Sequence, residues 1–166
     1  GADRVYVNRW NAGNKTVFTV LNMDHRGYDG PLFSVGDTAG RHLVSLRRHE
    51  ELTPSFINGV LMAPVRTSGW SQTHNGTRRE SSVDCIALLP SLIVAEIKGD
   101  KLHLAAGNDG TRLITRGTPG YGNKPVAIAS PADTLLSIDG LYGITAEKTV
   151  IELIDHKGIL LDERVI

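Results

Sequence analysis

The chain has 166 residues, of which 40% are hydrophobic and 22% are charged, and its 18 basic side chains balance 18 acidic ones. This length allows one or two domains with a hydrophobic core. A net charge of zero provides no overall field to attract nucleic acid or an anionic membrane, so neither is predicted as a partner. The local basic cluster at residues 47–49, which two glutamates follow, is predicted to be a solvated strand end. Cys85 is the only cysteine, which excludes an internal disulfide and a metal site built from several thiolates.

The start of the chain predicts a piece of a longer protein. It begins with Gly1-Ala2-Asp3 instead of methionine, and alternation of polar and apolar residues starts directly at Val5. No signal peptide is recognisable. The sequence contains no run of about 18 apolar residues, so no transmembrane helix is predicted. Any targeting signal is therefore expected upstream.

The first half of the chain reads as strands joined by turns. Residues 4–10 and 16–21 alternate around a turn and predict a hairpin, and a loop is predicted over residues 24–30. Asn58-Gly59 between apolar pairs favours a type I′ hairpin, with a short helical turn as the alternative. A long polar loop with Trp70 is predicted over residues 66–82. Further strands are predicted at residues 31–35, 42–46 and 83–89.

The second half opens with a hairpin, residues 92–97 and 101–105, around Lys98-Gly99-Asp100. A glycine-rich loop containing Tyr121 is predicted over residues 117–124. Further strands are predicted at residues 111–115, 125–129, 134–138 and 149–154, and from residue 159 onward.

This pattern predicts an all-β fold, an antiparallel β-sandwich that forms two packed sandwich subdomains over residues 1–90 and 91–166. Turns recur about every 8–12 residues, as in sandwiches and barrels. About seven strands in about 75 residues predict an immunoglobulin-like second subdomain. Pro90-Ser91 is too short for a flexible linker, so one continuous body stays open as an alternative.

Several stretches of the first half resemble the C-terminal β-sandwich domain that follows the catalytic barrel in many glycoside hydrolases. Val5-Tyr-Val-Asn-Arg-Trp10 followed by Thr16-Val-Phe-Thr-Val-Leu-Asn22 is similar to the opening of such domains. Gly30-Pro-Leu-Phe33, His42-Leu-Val-Ser-Leu46 and the closing Ile86-Ala-Leu-Leu-Pro90 are similar to later strands.

The resemblance covers residues 4–90 better than residues 91–166, and it implies a place in a parent enzyme. The catalytic carboxylates of such enzymes lie in the barrel, so no catalytic residue is carried over to this chain. The expected partner is then an upstream catalytic domain of the same chain. Through that parent enzyme, an extracellular or periplasmic location is favoured.

The residues themselves predict no catalysis, metal or cofactor. Glycoside hydrolysis needs two facing carboxylates, but most aspartates lie in predicted turns and no spacing selects a pair. The six histidines include no His-x-His or His-x₃-His pair. The chain is therefore predicted to be a non-catalytic accessory module.

Exposed aromatic rings are the remaining candidates for binding, because pyranose faces stack on them. Trp70, with His74 and Asn75 close in sequence, and Tyr121 fall in predicted loops, and Trp10 falls near a strand end. These five residues are predicted to contact either carbohydrate or the neighbouring catalytic domain. Three hypotheses stay open at this point: a structural module, a carbohydrate-binding module using loop aromatics, and a cell-surface adhesion domain of immunoglobulin type.

Overall fold

The computed structural model describes residues 3–70, 81–118, 125–137 and 148–166. In these ranges the chain forms antiparallel β-strands and no α-helix, which confirms the predicted all-β sandwich-type fold. The chain divides into two compact units, Gly1–Leu89 and Pro90–Ile166, each with its own hydrophobic core.

The first unit is built from two sheets that face each other across a core. The strands are β1 Val5–Ala12, β2 Lys15–Asn22, β3 Tyr28–Ser34, β4 Arg41–Ser45, β5 Glu50–Leu52, β6 Ser55–Ile57, β7 Val60–Thr67 and β8 Val83–Pro90. One sheet has the order β1-β2-β8-β4-β5 and the other the order β3-β7-β6. The core contains Phe18, Val20, Leu43, Ile86 and Leu88 from the first sheet, and Ala63 and Val65 from the second.

Strict alternation explains why β1 and β2 form a hairpin with one buried face. In β2, Thr16, Phe18, Val20 and Asn22 are buried, whereas the intervening residues point to the other face. A positive φ at Gly13 allows the tight connection between the strands. The predicted hairpin is therefore confirmed.

Two local predictions in the first half are resolved by backbone conformation. Asn58 and Gly59 both have positive φ values, 50° and 80°, so the connection between β6 and β7 is a hairpin turn of the type I′ class and not a helical turn. The predicted loop over residues 24–30 is wrong at its end, because β3 starts at Tyr28. The β3 strand tolerates Gly30 and Pro31 because it lies at a sheet edge, where Pro31 faces Pro64 of β7.

The second unit repeats the two-sheet plan with a separate core. Its strands are β9 Ile93–Lys98, β10 Lys101–Ala106, β11 Arg112–Thr118, β12 Val126–Ala129, β13 Ala132–Ser137, β14 Lys148–Ile154 and β15 Leu160–Val165. The sheets have the orders β13-β10-β9 and β12-β11-β14-β15. Leu102 and Leu104 of β10 pack with Leu113 of β11 and with Ile151 and Leu153 of β14. The immunoglobulin-like assignment of this unit stays a prediction.

Candidate functional site

The structure describes two of the five predicted site residues, and both lie in the first unit. Trp10 lies within β1, in the five-stranded sheet, and Trp70 follows β7 of the three-stranded sheet. His74, Asn75 and Tyr121 lie outside the described residues. The described tryptophans therefore belong to two separate surfaces.

Trp70 belongs to a segment that is fastened to the loop before β3. The buried amide nitrogen of Asn22 lies 3.0 Å from the carbonyl oxygen of Arg26 and 3.2 Å from that of Ser68. The backbone N–H of Trp70 donates to the carbonyl oxygen of Asp24 at 2.7 Å. The side chain of Trp70 remains 44% exposed. This ring is thus presented by a well-anchored backbone.

The loop before β3 lines an open polar cleft of about 220 Å³. The backbone N–H of Arg26 donates to Oδ1 of Asp24 at 2.9 Å, and this hydrogen bond lowers the pKa of the Asp24 carboxyl. The carboxylate is therefore already engaged within the loop. The other residues that line the cleft are Asp3, Arg4, Val5, Asn22, Arg26, Gly27 and Tyr28.

The close approach of these two segments gives a first prediction, that Gly69→Ala destabilises the first unit by about 1–3 kcal/mol. A Cβ atom at Gly69 would lie 2.1 Å from the carbonyl oxygen of His25. Because this oxygen belongs to the backbone, the main chain itself would have to shift to relieve the clash. Urea unfolding followed by tryptophan fluorescence measures the change. Gly36→Ala is the control, a glycine-to-alanine substitution without a steric clash. A Cβ atom at Gly36 would meet nothing within 4 Å, although the φ of 70° there adds local strain. A loss at Gly69 no larger than that at Gly36 would contradict the close packing.

Tyr6 is an exposed aromatic residue that the sequence prediction missed. It lies four residues before Trp10 in β1, and alternation puts both side chains on the face opposite to the core. Tyr6 is 56% exposed and Trp10 is 61% exposed. The spacing of two aromatics at i and i+4 in an alternating strand was the available signal. The two rings share one side of the sheet.

The tip of the hairpin between β6 and β7 exposes large apolar side chains. Phe56 is 73% exposed, the largest fraction among the exposed large hydrophobic residues of the described chain. It lies opposite Leu61 in the register, and Ile57 lies opposite Val60. Ile57 and Val60 are also exposed. Because adjacent residues of a strand point to opposite faces, the tip is apolar on both of its faces.

Within the basic cluster of residues 47–49, the prediction of a solvated strand end is wrong for Arg48, whereas Arg47 is exposed. The Arg48 side chain is largely buried, and its Nη1 atom lies 2.8 Å from Oδ2 of the buried Asp84. Its Nε donates to Glu50 at 3.0 Å, and Glu50 also pairs with Arg66. The positive charge of Arg48 is thus paired with carboxylates of the same unit, which leaves it poorly placed to bind an external anion.

The described residues contain no group of three or more His, Cys, Asp or Glu side chains that could hold a metal ion. Burial, with the neighbouring charge of Asp84, raises the pKa of the Cys85 thiol, which therefore stays protonated at neutral pH. Among the same residues, no helix is long and apolar enough to cross a membrane.

No protein-family model matches the chain, and no curated protein matches it in sequence.

Proposed function

We propose that the chain is a non-catalytic accessory module that packs on a catalytic domain of a carbohydrate-processing enzyme through the tip of the β6–β7 hairpin. The observation that carries the docking role is the exposure of Phe56, Ile57 and Val60 at that tip. The carbohydrate context is supported by the resemblance of residues 4–90 to domains that follow the catalytic barrel of glycoside hydrolases.

The geometry of the tip favours contact with another domain. A side chain on only one face of a hairpin can be covered by the opposite sheet of its own sandwich. Here Phe56 lies on one face and Ile57 and Val60 lie on the other, so a single covering sheet cannot bury all three. Contiguous exposed apolar surface marks interaction sites in soluble proteins. A partner with a groove that accepts the tip would remove this surface from water.

The experiment uses the full-length protein that contains this chain. The triple variant Phe56→Ser, Ile57→Thr, Val60→Thr is expected to loosen the module from the catalytic domain. Limited proteolysis should then cut between them faster, and the catalytic domain should lose heat resistance. Its kcat on a small soluble substrate should stay unchanged at low temperature, because the proposal places no catalytic group in the module.

Leu135→Ser is the matched control, because Leu135 is a large exposed apolar residue on β13 of the second unit. It should leave proteolysis and heat resistance at the wild-type level. A wild-type phenotype of the triple variant, or a full-length protein with no catalytic domain, would refute the docking proposal.

A further inference from the structure

The outer face of β1 and β2 carries two exposed aromatic rings, Tyr6 and Trp10, with no charged side chain between them on that face. On β1 it presents Tyr6, Asn8 and Trp10, while Val5 and Val7 on the opposite side pack against the core. Four residues of strand separate the Cα atoms of Tyr6 and Trp10, which is about 13 Å. The two rings therefore stand in line along one strand.

The register of the hairpin completes this surface. Leu21 of β2 lies opposite Tyr6, Thr19 opposite Asn8, and Val17 opposite Trp10. Asn8 and Thr19 are both exposed, so an amide and a hydroxyl group lie between the pair that contains Tyr6 and the pair that contains Trp10. Arg9 lies between Asn8 and Trp10 in the strand, but its guanidinium is over the Phe18 ring on the opposite side of the hairpin. On the same side as the two rings, the nearest cation in the hairpin register is Lys15, opposite Ala12 at the turn. These six residues, Tyr6, Asn8, Trp10, Val17, Thr19 and Leu21, are called the β1–β2 face.

We infer that the β1–β2 face binds an extended, uncharged oligosaccharide, with Trp10 and Tyr6 stacking on separate sugar rings of one chain. A pyranose ring has apolar C–H faces and a rim of hydroxyl groups. The electron-rich face of an aromatic ring attracts such C–H groups, and Asn8 and Thr19 can exchange hydrogen bonds with hydroxyls. Ligand pockets and clefts use this same mixture of apolar area and a few polar groups.

The shape and charge of the face select the class of ligand. One sugar ring cannot reach both aromatic side chains across about 13 Å, so the ligand must span several units. An extended strand presents the two rings in a row, which matches the extended chain of equatorially linked pyranosides better than a coiled one. The absence of charged side chains between the rings offers nothing to hold an acidic polysaccharide.

The test titrates the purified chain with cellohexaose and mannohexaose by isothermal calorimetry, and repeats this with variants. The wild-type chain should bind at least one of the two. Trp10→Ala should weaken that binding by at least about tenfold, and Tyr6→Ala by several-fold. Trp10→Leu keeps apolar area without a ring and should resemble Trp10→Ala, whereas Trp10→Phe should retain part of the affinity. Circular dichroism confirms that each variant is folded.

Trp70→Ala is the matched control, because Trp70 is an exposed tryptophan outside the β1–β2 face, after the end of β7, and it should bind like wild type. The inference is overturned if the wild-type chain binds neither hexasaccharide, or if Trp10→Ala binds as tightly as wild type. It is also overturned if Trp70→Ala weakens binding as much as Trp10→Ala. Analytical ultracentrifugation of the free chain tests whether a second copy of the chain occupies the face instead. A dimer that Trp10→Ala converts to monomer would assign the face to that second copy. The hairpin triple variant should bind sugar normally, so the docking proposal and this inference can fail separately.

Discussion

Arg48→Ala should lower the free energy of unfolding of the first unit by about 3 kcal/mol, since removing one partner of a buried ion pair leaves the other charge uncompensated. Oδ2 of Asp84 lies 2.8 Å from Nη1 of Arg48. The other oxygen, Oδ1, accepts from Oγ of Ser45 at 2.7 Å and from the backbone N–H of Cys85 at 2.8 Å. Without Arg48, the carboxylate keeps these two donors but loses its counter-charge.

Arg48 also connects strands that are distant in sequence. Its guanidinium donates to the carbonyl oxygen of Arg66 at 2.6 Å and to Glu50 at 3.0 Å. One side chain thus links the start of β5 to β7 and β8. The loss of these contacts adds to the cost of the unpaired carboxylate. We therefore expect a larger effect than that of an exposed ion pair, which is worth about 0–1 kcal/mol.

Urea unfolding followed by tryptophan fluorescence measures this effect in the first unit alone, because both tryptophans, Trp10 and Trp70, lie there. The midpoint should fall by on the order of 1–2 M urea. Arg26→Ala is the control, since Arg26 is almost fully exposed and lies 3.7 Å from Asp24. Adding Asp84→Asn to Arg48→Ala should recover part of the loss by removing the buried charge. A midpoint equal to that of Arg26→Ala would show that Asp84 needs no counter-charge.

The strands could be predicted from the sequence because alternation is a local property. The hairpin of β1 and β2 and the turn at Asn58-Gly59 each depend on residues within one short window. The sheet order could not be predicted in the same way. Strand β2 pairs with β8 in a register that joins Thr16 to Leu88, and no local pattern specifies that partner. Pairings between distant strands depend on the packing of the whole unit.

The candidate surfaces likewise depend partly on neighbouring residues in sequence and partly on contacts between distant strands. Only the first kind could be predicted from the sequence. The sequence predicts Trp70 as a contact residue because it falls in a predicted loop, whereas Tyr6 lies within a predicted strand and is not selected. Alternation tells which residues share a face, but it does not tell which face the opposite sheet covers. Arg48 was predicted to be solvated because its neighbours in sequence are charged. Its buried partner, Asp84, is 36 positions away in sequence and reaches it only through the pairing of the sheet.

The corresponding buried carboxylate of the second unit is Asp162, and Asp162→Ala should destabilise that unit by about 2–4 kcal/mol. Its Oδ2 accepts from the backbone N–H groups of Leu92 at 2.8 Å and of Ile93 at 2.9 Å. Asp162 is fully buried on β15, so its truncation to alanine removes the side-chain acceptor of both N–H groups from a desolvated position. The interaction fixes the start of β9 against β15, across about 70 residues of chain.

Amide hydrogen exchange measured by NMR tests this prediction at the two donor N–H groups, those of Leu92 and Ile93. Exchange at Ile93 should become roughly hundredfold faster. The rise at Leu92 should be smaller, because its N–H also lies 3.1 Å from the carbonyl oxygen of Pro90. Asp133→Ala removes an exposed carboxylate of the same unit, 2.8 Å from His103, and should change exchange at Ile93 little. Asp162→Asn keeps an acceptor oxygen in place and should fall between wild type and alanine. If Asp162→Ala and Asp133→Ala exchange alike at Ile93, the carboxylate does not hold the start of β9, and the ladder between β9 and β10 fixes that strand on its own.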